Sequence, residues 1–236
     1  MIKNIVEWFL SILFPQRCLS CLSYILPQEI LCHSCISHIV LRNDFVCATC
    51  GKRIPPTHTE ATCHRDSFLL FAATDYGIKQ SRDLVYALKY KHIISAASYI
   101  SFLIKIALQN SKINVHSHFV VIPIPVSPEK KHSRGYNQAE YITRFFVERI
   151  QQGVNFSTKI LFKKSGIKSQ IECANYKERA QNIHNGFFVK NTDEIFGKTV
   201  LLFDDVFTSG ATMKEAVKTL KRAGARRVIG IVFAKA

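Results

Sequence analysis

The stretch from Val200 to Thr212 constrains the fold of this chain more than any other part of its sequence. It reads Val-Leu-Leu-Phe-Asp-Asp-Val-Phe-Thr-Ser-Gly-Ala-Thr. Its apolar start predicts a buried strand, two adjacent carboxylates follow, and a small hydroxyl-rich loop then opens a helix. Such a loop suits a phosphate, because free backbone N–H groups and the positive end of the helix dipole point at one spot. The carboxylates suit ribose hydroxyls, or a Mg²⁺ ion carried by a pyrophosphate. A sugar phosphate fits both the acidic pair and the loop. The alternative is an ordinary strand–loop–helix unit with an N-cap and a solvated acidic pair.

This segment resembles the phosphoribosyl-pyrophosphate (PRPP) signature of type I phosphoribosyltransferases. That signature is a hydrophobic strand, an acidic pair and then Thr-Thr-Gly-x-Thr, with Ser209 here in place of the second Thr. The resemblance implies that Asp204 and Asp205 bind the ribose diol and that the loop surrounds the 5′-phosphate. The further PRPP contacts predicted in this segment are Val206, Thr208, Ser209, Gly210, Ala211 and Thr212.

Strand-like and helix-like segments alternate through the rest of the chain, which predicts a parallel sheet with helices on both faces. Predicted strands are 68–76, 119–125, 158–162, 187–189, 199–203 and 227–233, and predicted helices are 80–90, 94–109, 137–151, 174–184 and 211–223. The predicted fold class is therefore α/β, a type I phosphoribosyltransferase-like parallel sheet. We assign it to residues 68–236. Ligands of such sheets bind beyond the carboxyl ends of the strands, where the acidic pair lies.

Residues 1–67 form a separate cysteine-rich module in this interpretation. Three Cys-x-x-Cys pairs lie close together, and in a chain without a signal peptide they favour zinc over disulfides. The pairs are Cys18/Cys21, Cys32/Cys35 and Cys47/Cys50, followed by Cys63. The first two pairs make a complete four-thiolate site, whose zinc we expect to be structural because no position is left for water.

The second metal set has three cysteines, so its fourth ligand must come from elsewhere. His64, His58 and Asp66 are the nearby candidates. Asp66 stands where another Cys-x-x-Cys pair would end, whereas His64 is chemically the better zinc ligand. The candidates remain open at this point, with His64 included in the predicted metal set. Mixed pairing between the two sets is a further alternative.

The first 14 residues have apolar side chains at helical spacing, interrupted by Glu7 and without a small-residue cleavage site. They predict a short helix that docks on the folded body. No segment of the sequence reaches the length of a membrane span. We therefore expect a cytoplasmic protein with no membrane span.

Positive charge is concentrated in the second part of the chain. The formal net charge is +15; residues 1–67 hold 6 Lys/Arg and 5 Asp/Glu, against 26 and 12 in residues 68–236. This distribution indicates polyanionic partners. On the last predicted helix, four cations share one face and predict a DNA-binding track, with a solvated helix face as the alternative. They are Lys214, Lys218, Lys221 and Arg222. Tyrosines for base stacking are Tyr90, Tyr99, Tyr136 and Tyr141.

The segment from Glu129 to Gln138 is basic and polar, with a glycine at 135. It predicts either a solvated surface loop or a mobile lid. In the second case Arg134 reaches a pyrophosphate, and Asn137 and Gln138 bond substrate or lid backbone.

Several motifs in combination resemble the ComF (ComFC) competence family. They are the paired cysteines, Leu-Lys-Tyr at 88–90, Ile-Pro-Ile-Pro-Val-Ser at 122–127, Arg-Gly-Tyr-Asn-Gln-Ala at 134–139, the residues Gln170, Arg179 and Asn182, and the loop after β-strand 199–203. The chain departs from the family at Cys63-His64-Arg65-Asp66, where relatives often show a further Cys-x-x-Cys. The resemblance implies PRPP and Mg²⁺ binding, a zinc finger, and handling of internalised single-stranded DNA during natural transformation.

By this resemblance the predicted catalytic residues are Asp204, Asp205, Lys89 and Arg134. PRPP contacts outside the loop are Lys89, Tyr90, Asn137, Gln138 and Arg179. Other DNA-uptake or recombination proteins are expected as partners. The alternative function is an active phosphoribosyltransferase of nucleotide salvage or metabolism with no direct DNA role.

Overall fold

A computed structural model describes residues 15–27, 29–55, 63–64, 67–111, 115, 118–150, 153–164 and 186–236. The strands are β1 (Phe45–Cys47), β2 (Arg53–Ile54), β3 (Leu69–Asp75), β4 (Phe119–Pro123), β5 (Asn155–Phe156), β6 (Leu161–Lys163), β7 (Phe187–Val189), β8 (Thr199–Phe207) and β9 (Arg227–Lys235). The helices are α1 (His33–Ser37), α2 (Lys79–Tyr90), α3 (Ile94–Asn110), α4 (Pro128–Arg134), α5 (Gln138–Ile150) and α6 (Ala211–Arg222), and Thr192–Glu194 is a 3₁₀ turn.

Seven strands form the main sheet in the order β2-β1-β3-β9-β8-β4-β5. The five strands from β3 to β5 are parallel, which confirms the predicted α/β architecture. The central strands are buried on both faces, as continuous apolar runs such as Val200–Phe203 require. The carboxyl ends of β3, β9, β8 and β4 therefore meet at one edge, where a ligand is expected.

Alternate residues of the central strands enter two separate hydrophobic clusters, one on each face of the sheet. In β8, Leu201 and Phe203 pack in the cluster that holds α2, α3 and α5. Val200 and Leu202 pack in the cluster that holds α6, β6 and β7. Helices thus cover both faces, and α2 and α6 lie on opposite sides of the sheet.

The cysteine-rich module is continuous with this sheet at one edge. Strand β1 pairs antiparallel with β3, with Phe45 opposite Phe71, and β2 extends the sheet by one more antiparallel strand. Helix α2 also contacts the module, since Lys79 Nζ donates to the Ser20 carbonyl oxygen at 2.7 Å. Sequence patterns did not predict these antiparallel strands, because each has only two or three residues.

Three predicted elements differ from the structure. Strand β8 continues through residue 207, so the acidic pair lies within the strand and not after it. The strand predicted at 158–162 is instead β6, which pairs with β7 in a separate two-stranded antiparallel sheet. The predicted loop or lid at 129–138 contains α4: Ser127 caps its start by accepting from Lys130 N, and Gly135 ends it in the left-handed conformation.

The predicted helices at the N-terminus and at 174–184 lie outside the described residues, as do Gln170, Cys173, Arg179 and Asn182. In the part of the chain that the structure describes, no helix is both long enough and apolar enough to span a bilayer.

Candidate functional site

The acidic pair lies on an inner strand of the sheet, toward the carboxyl end of that strand. The neighbouring parallel strands end on the same side. Strand β8 has β9 on one side and β4 on the other. Asp205 is buried, and its carboxylate is 2.9 Å from Nζ of Lys89, at the C-terminal end of α2. The fold thus brings together a cation and an anion that are more than a hundred positions apart in sequence. Lys89 was predicted in the site only by family resemblance.

The electrostatics of the pair differ between the two carboxyl groups. Burial, and then the neighbouring Asp205 carboxylate, raise the pKa of Asp204 to about 7. Burial by itself would lower the pKa of Lys89, but Asp205 more than offsets it and the net shift is upward. Lys89 therefore stays charged as the counter-ion of Asp205, while Asp204 changes charge near neutral pH. Hydrogen-bond donors or a cation beside Asp204 would favour its ionised form.

The loop after β8 is shaped by a contact between Phe207 and Gly210. Gly210 has φ of 72°, and a Cβ at this position would lie 2.3 Å from Cζ of Phe207. Only glycine accommodates both the left-handed conformation and the close ring. Gly210, the N-cap residue of α6, has no side chain to cap the helix, and Ser209 Oγ accepts from Ala211 N at 3.4 Å. The N–H groups of Thr212 and Met213 have no side-chain cap and point toward the same spot, where an anion can accept from them, with the exposed Thr208 and Ser209 beside them.

The segment that follows α4 is hydrogen-bonded to α2, to the residue just beyond β4 and to the start of α5. The hydroxyl of Tyr136 donates to the Leu88 carbonyl, in the turn of α2 that carries Lys89. Asn137 Nδ2 donates to the Ile124 carbonyl oxygen at 3.0 Å, just beyond β4, and Asn137 Oδ1 accepts from Ala139 N. Both polar groups of the Asn137 amide are thus bonded to backbone. Asn137, predicted as a PRPP contact, positions the site in this structure.

Arg134 and Gln138 lie next to each other on this segment. Arg134 Nη1 donates to Gln138 Oε1 at 3.4 Å, and its guanidinium lies 5.9 Å from the ring centroid of Tyr90. Gln138 is buried, and its Nε2 has no hydrogen-bond partner among the described residues. Arg134, Tyr90 and Gln138 therefore form a connected group, and Tyr90 follows Lys89 directly in the chain.

Lys163 of β6 is close enough to Asp204 for their charges to interact, a proximity that sequence reasoning did not predict. Burial and then Lys130 lower the pKa of Lys163, whereas the charges of Asp204 and Glu129 act in the opposite direction. Strand β6 and helix α4 are therefore close enough to Asp204 to act on the same group of charges. No spacing in the sequence indicates this, because Lys163 reaches the site from the separate two-stranded sheet.

The first four cysteines form one cluster, as predicted. The sulfur atoms of Cys18, Cys21, Cys32 and Cys35 all lie within 4.8 Å of one another. The 3.6 Å between Sγ of Cys21 and Sγ of Cys32 compares with about 3.8 Å between thiolates on a tetrahedral zinc ion, given a Zn–S bond of about 2.3 Å. Four sulfur ligands at this spacing fit Zn²⁺.

The four thiols differ in how readily they ionise. Contact with Ser23 lowers the pKa of Cys21 to about 6. Burial, followed by the neighbouring cysteine sulfurs, raises the pKa of Cys35 to about 12. Four adjacent thiolates repel one another, so a metal ion is needed for all four to ionise together.

The second cluster contains Cys47, Cys50 and Cys63, whose sulfurs again lie within 4.8 Å of one another. His64 Nδ1 is 3.6 Å from Cys47 Sγ, close to the separation of about 3.6 Å between N and S ligands on tetrahedral zinc. Ser67 Oγ lies 3.1 Å from the same sulfur. The other candidate ligands, His58 and Asp66, are outside the described residues. The structure thus places His64 beside the second cluster.

The predicted DNA-binding face on α6 is exposed, and its opposite face is buried. Lys214, Lys218 and Arg222 point away from the core, while Lys221 Nζ donates to the Ser67 carbonyl oxygen at 3.2 Å. Of the tyrosines proposed for stacking, Tyr136 is buried and Tyr99 and Tyr141 are partly buried. Tyr90 is 58% exposed. Tyr90 is therefore accessible for stacking on a base, whereas the buried Tyr136 is not.

Both parts of the chain match known domain families. Residues 9–65 match the double zinc ribbon domain family, and residues 154–236 match the phosphoribosyl transferase domain family. The competence protein ComFC of Bacillus subtilis (strain 168) is 24% identical over 210 residues, which covers 84% of this chain and 80% of the relative. The chain is thus similar, over most of its length, to competence proteins named ComFC. The double zinc ribbon match and the two sulfur clusters together support structural zinc in its N-terminal module.

Another relative has the same name. The competence protein ComFC of Streptococcus pneumoniae (strain ATCC BAA-255 / R6) is 24% identical over 204 residues, which covers 84% of each chain. Among solved structures, glutamine PRPP amidotransferase from B. subtilis, complexed with ADP and GMP, has 21% identity and a TM-score of 0.39. That match covers 58% of this chain and 27% of the amidotransferase chain.

Proposed function

We propose that this protein binds PRPP together with Mg²⁺ at the carboxyl edge of its sheet. The observation that carries the proposal is the sequence of groups along β8 and α6. The carboxylates of Asp204 and Asp205 come first, and α6 begins four residues after Phe207, with no side chain on its N-cap residue Gly210. Carboxylates accept hydrogen bonds from a ribose diol, and helix N–H groups donate to a phosphate. One sugar phosphate satisfies both.

The cations around the pair are assigned to the pyrophosphate. Lys89 already bonds Asp205, and Arg134 lies over the Tyr90 ring within reach of the same region. A Mg²⁺ ion bound with PRPP would neutralise charge on its pyrophosphate oxygens. In a transfer reaction, these cations would stabilise the departing pyrophosphate and the two aspartates would hold the ribose. Arg179, predicted as a further PRPP contact, lies outside the described residues.

We further propose that the protein handles incoming single-stranded DNA in natural transformation. The competence proteins that resemble it suggest this role. The net charge of +15 and the exposed Lys214, Lys218 and Arg222 of α6 support a polyanionic partner. Its action would be in the cytoplasm, on internalised DNA, with other DNA-uptake or recombination proteins as partners.

The first experiment tests the PRPP site. Asp204→Asn combined with Asp205→Asn keeps side-chain size but removes both charges. We expect PRPP and Mg²⁺ to raise the melting temperature of the unchanged protein and to leave that of the double variant unaltered, at equal zinc content. The control is Lys214→Ala with Lys218→Ala, which should keep the full PRPP response. A double aspartate variant that still responds to PRPP would refute the site assignment.

The second experiment tests the DNA role and separates it from the alternative function. Affinity for a short oligo(dT) should fall steeply with salt and exceed affinity for a duplex. Equal binding of duplex would contradict the transformation role. PRPP binding without DNA binding would instead favour an active phosphoribosyltransferase of nucleotide salvage or metabolism.

A further inference from the structure

The C-terminal half of α2 carries two exposed aromatic rings in contact. Tyr86 and Tyr90 are one helical turn apart, with ring centroids separated by 5.0 Å. Their exposed fractions are 53% and 58%. Among the described residues, this is the aromatic pair in which both rings are more than half exposed. The apolar residues between them, including Leu88, face the core, so the two rings are not needed to bury α2.

A cation lies over each of the two rings. Lys91 Nζ is 5.8 Å from the ring centroid of Tyr86, and Arg134 Cζ is 5.9 Å from that of Tyr90. Lys91, Tyr86, Tyr90 and Arg134 thus form a continuous surface group, here called the tyrosine row. Cations at the faces of exposed rings are held only weakly, so a phosphate can draw them away from the rings.

The tyrosine row adjoins the proposed sugar-phosphate site. Lys89, between the two tyrosines in sequence, binds Asp205. Arg134 joins the row to Gln138, and Tyr136 holds the Leu88 carbonyl at the same turn of α2. The contacts that position the proposed sugar-phosphate site therefore also hold the tyrosine row. It lies on the opposite face of the sheet from α6, whose apolar side packs in the other hydrophobic cluster.

We propose that the tyrosine row is a binding surface for single-stranded DNA, an inference that rests on the proposed DNA role. Tyr86 and Tyr90 stack on two bases of the strand, and Lys91 pairs with one of its phosphates. Proteins bind single-stranded nucleic acid through neighbouring aromatic rings on a positively charged surface, because every base has a face that can stack on a ring. A duplex keeps its bases stacked internally and gains nothing from these rings.

The test compares Tyr86→Ala, Tyr86→Phe and Tyr24→Ala in the full chain. Tyr24 is a matched control, since it is 67% exposed and has the Arg17 guanidinium 5.1 Å from its ring centroid, but it lies in the zinc module. Affinity for a fluorescein-labelled oligo(dT) should fall about fivefold or more in Tyr86→Ala. Tyr86→Phe keeps the ring and should bind normally, as should Tyr24→Ala. Duplex binding should be the same in all three.

A second variant tests the phosphate contact separately. Lys91→Ala should reduce the slope of log affinity against log salt concentration by about 0.7, the expected value for one phosphate contact on a single strand. An unchanged slope would overturn the role of Lys91 in the row.

The outcomes separate failure of the row from failure of the DNA role. If the unchanged protein binds oligo(dT) and Tyr86→Ala binds it equally well, the tyrosine row is refuted and the DNA role stands. If the unchanged protein does not bind oligo(dT), both are refuted. The PRPP-induced rise in melting temperature should be intact in Tyr86→Ala, which shows that any loss of DNA binding does not come from misfolding.

Discussion

Asp204 and Asp205 are adjacent in sequence but occupy different electrostatic surroundings. Asp205 is buried and has Lys89 as a close counter-ion at 2.9 Å. Asp204 accepts a hydrogen bond from Asp205 N, but burial and the second carboxylate raise its pKa to about 7. Asp204 is therefore the group in this pair whose charge a ligand can change, and PRPP binding should depend on its ionisation.

This gives a pH prediction. Ionised Asp204 accepts stronger hydrogen bonds from ribose hydroxyls than the acid does, so affinity for PRPP with Mg²⁺ should rise as pH increases through about 7. Isothermal titration calorimetry at a series of pH values measures this. Asp204→Asn should bind more weakly and show only the pH dependence of the ligand itself. Identical pH profiles for the two proteins would contradict the assignment.

The same pKa shift has a consequence for stability. The folded protein holds the Asp204 proton more tightly than the unfolded chain does, because its pKa lies above the ordinary value of 3.8. The contribution of Asp204 to the free energy of unfolding therefore falls as pH rises from about 4 through about 7. Asp204→Asn should remove this part of the pH dependence.

Gly210 gives a second prediction at the scale of one residue. Gly210→Ala introduces both an unfavourable left-handed conformation and a Cβ 2.3 Å from the Phe207 ring. Gly197→Ala is the matched control, since Gly197 has φ of 69° with no atom within 4 Å of the added Cβ. By urea denaturation, Gly197→Ala should cost about 1 kcal/mol and Gly210→Ala more, with loss of PRPP binding in the second alone. Equal costs would mean that the Phe207 contact does not shape the loop.

Among the elements, those with strong local signals were predictable. The apolar part of β8, the loop and α6 follow from an apolar run, hydroxyl residues and helical spacing. Helix α4 also had capping signals in the sequence, although a loop or lid was predicted there. Ser127 precedes a proline at the start of the helix, and Gly135 follows its last, basic turn. The charged composition of 129–134 favoured a loop, but the capping residues at both ends determine the helix.

Antiparallel pairings between short strands were not predictable. Strands β1 and β2 have three and two residues, too few to show alternation, and the strands predicted at 187–189 and 158–162 gave no sign that β6 and β7 pair in a separate sheet. Their conformation comes from a partner strand: β1 pairs with β3, and β6 pairs with β7. The position of Lys163 near Asp204 depends on the second of these pairings, so no sequence pattern could reveal it.

The zinc module gives a prediction at the scale of elements. With one ion in each sulfur cluster, the purified protein should contain two zinc ions per chain. His64→Ala should reduce this to about one after washing with a mild chelator, because the ion at the second cluster loses the nitrogen ligand that lies beside Cys47. His38→Ala is the control, since its ring bonds the Ser34 carbonyl oxygen. Zinc can be measured by inductively coupled plasma mass spectrometry. Two ions retained in His64→Ala would exclude His64 as the fourth ligand.

At the scale of the whole molecule, the fold collects groups from distant parts of the chain at one edge of the sheet. Lys89 comes from α2, Arg134 from α4 and Asp205 from β8. Local patterns located the acidic pair and offered Arg134 as part of a lid, one of two alternatives for its segment, whereas Lys89 was included only through family resemblance. Their proximity depends on parallel strands that end together and on Tyr136 and Asn137, whose bonds hold α2 and the end of β4 in place.

A crystal structure of the protein with PRPP and Mg²⁺ tests the central claim most directly. The ribose hydroxyls should lie within hydrogen-bond distance of the Asp204 and Asp205 carboxylates, and the 5′-phosphate should accept from N–H groups of residues 208–212. PRPP bound elsewhere, or absent from this edge of the sheet at saturating concentration, would contradict the account.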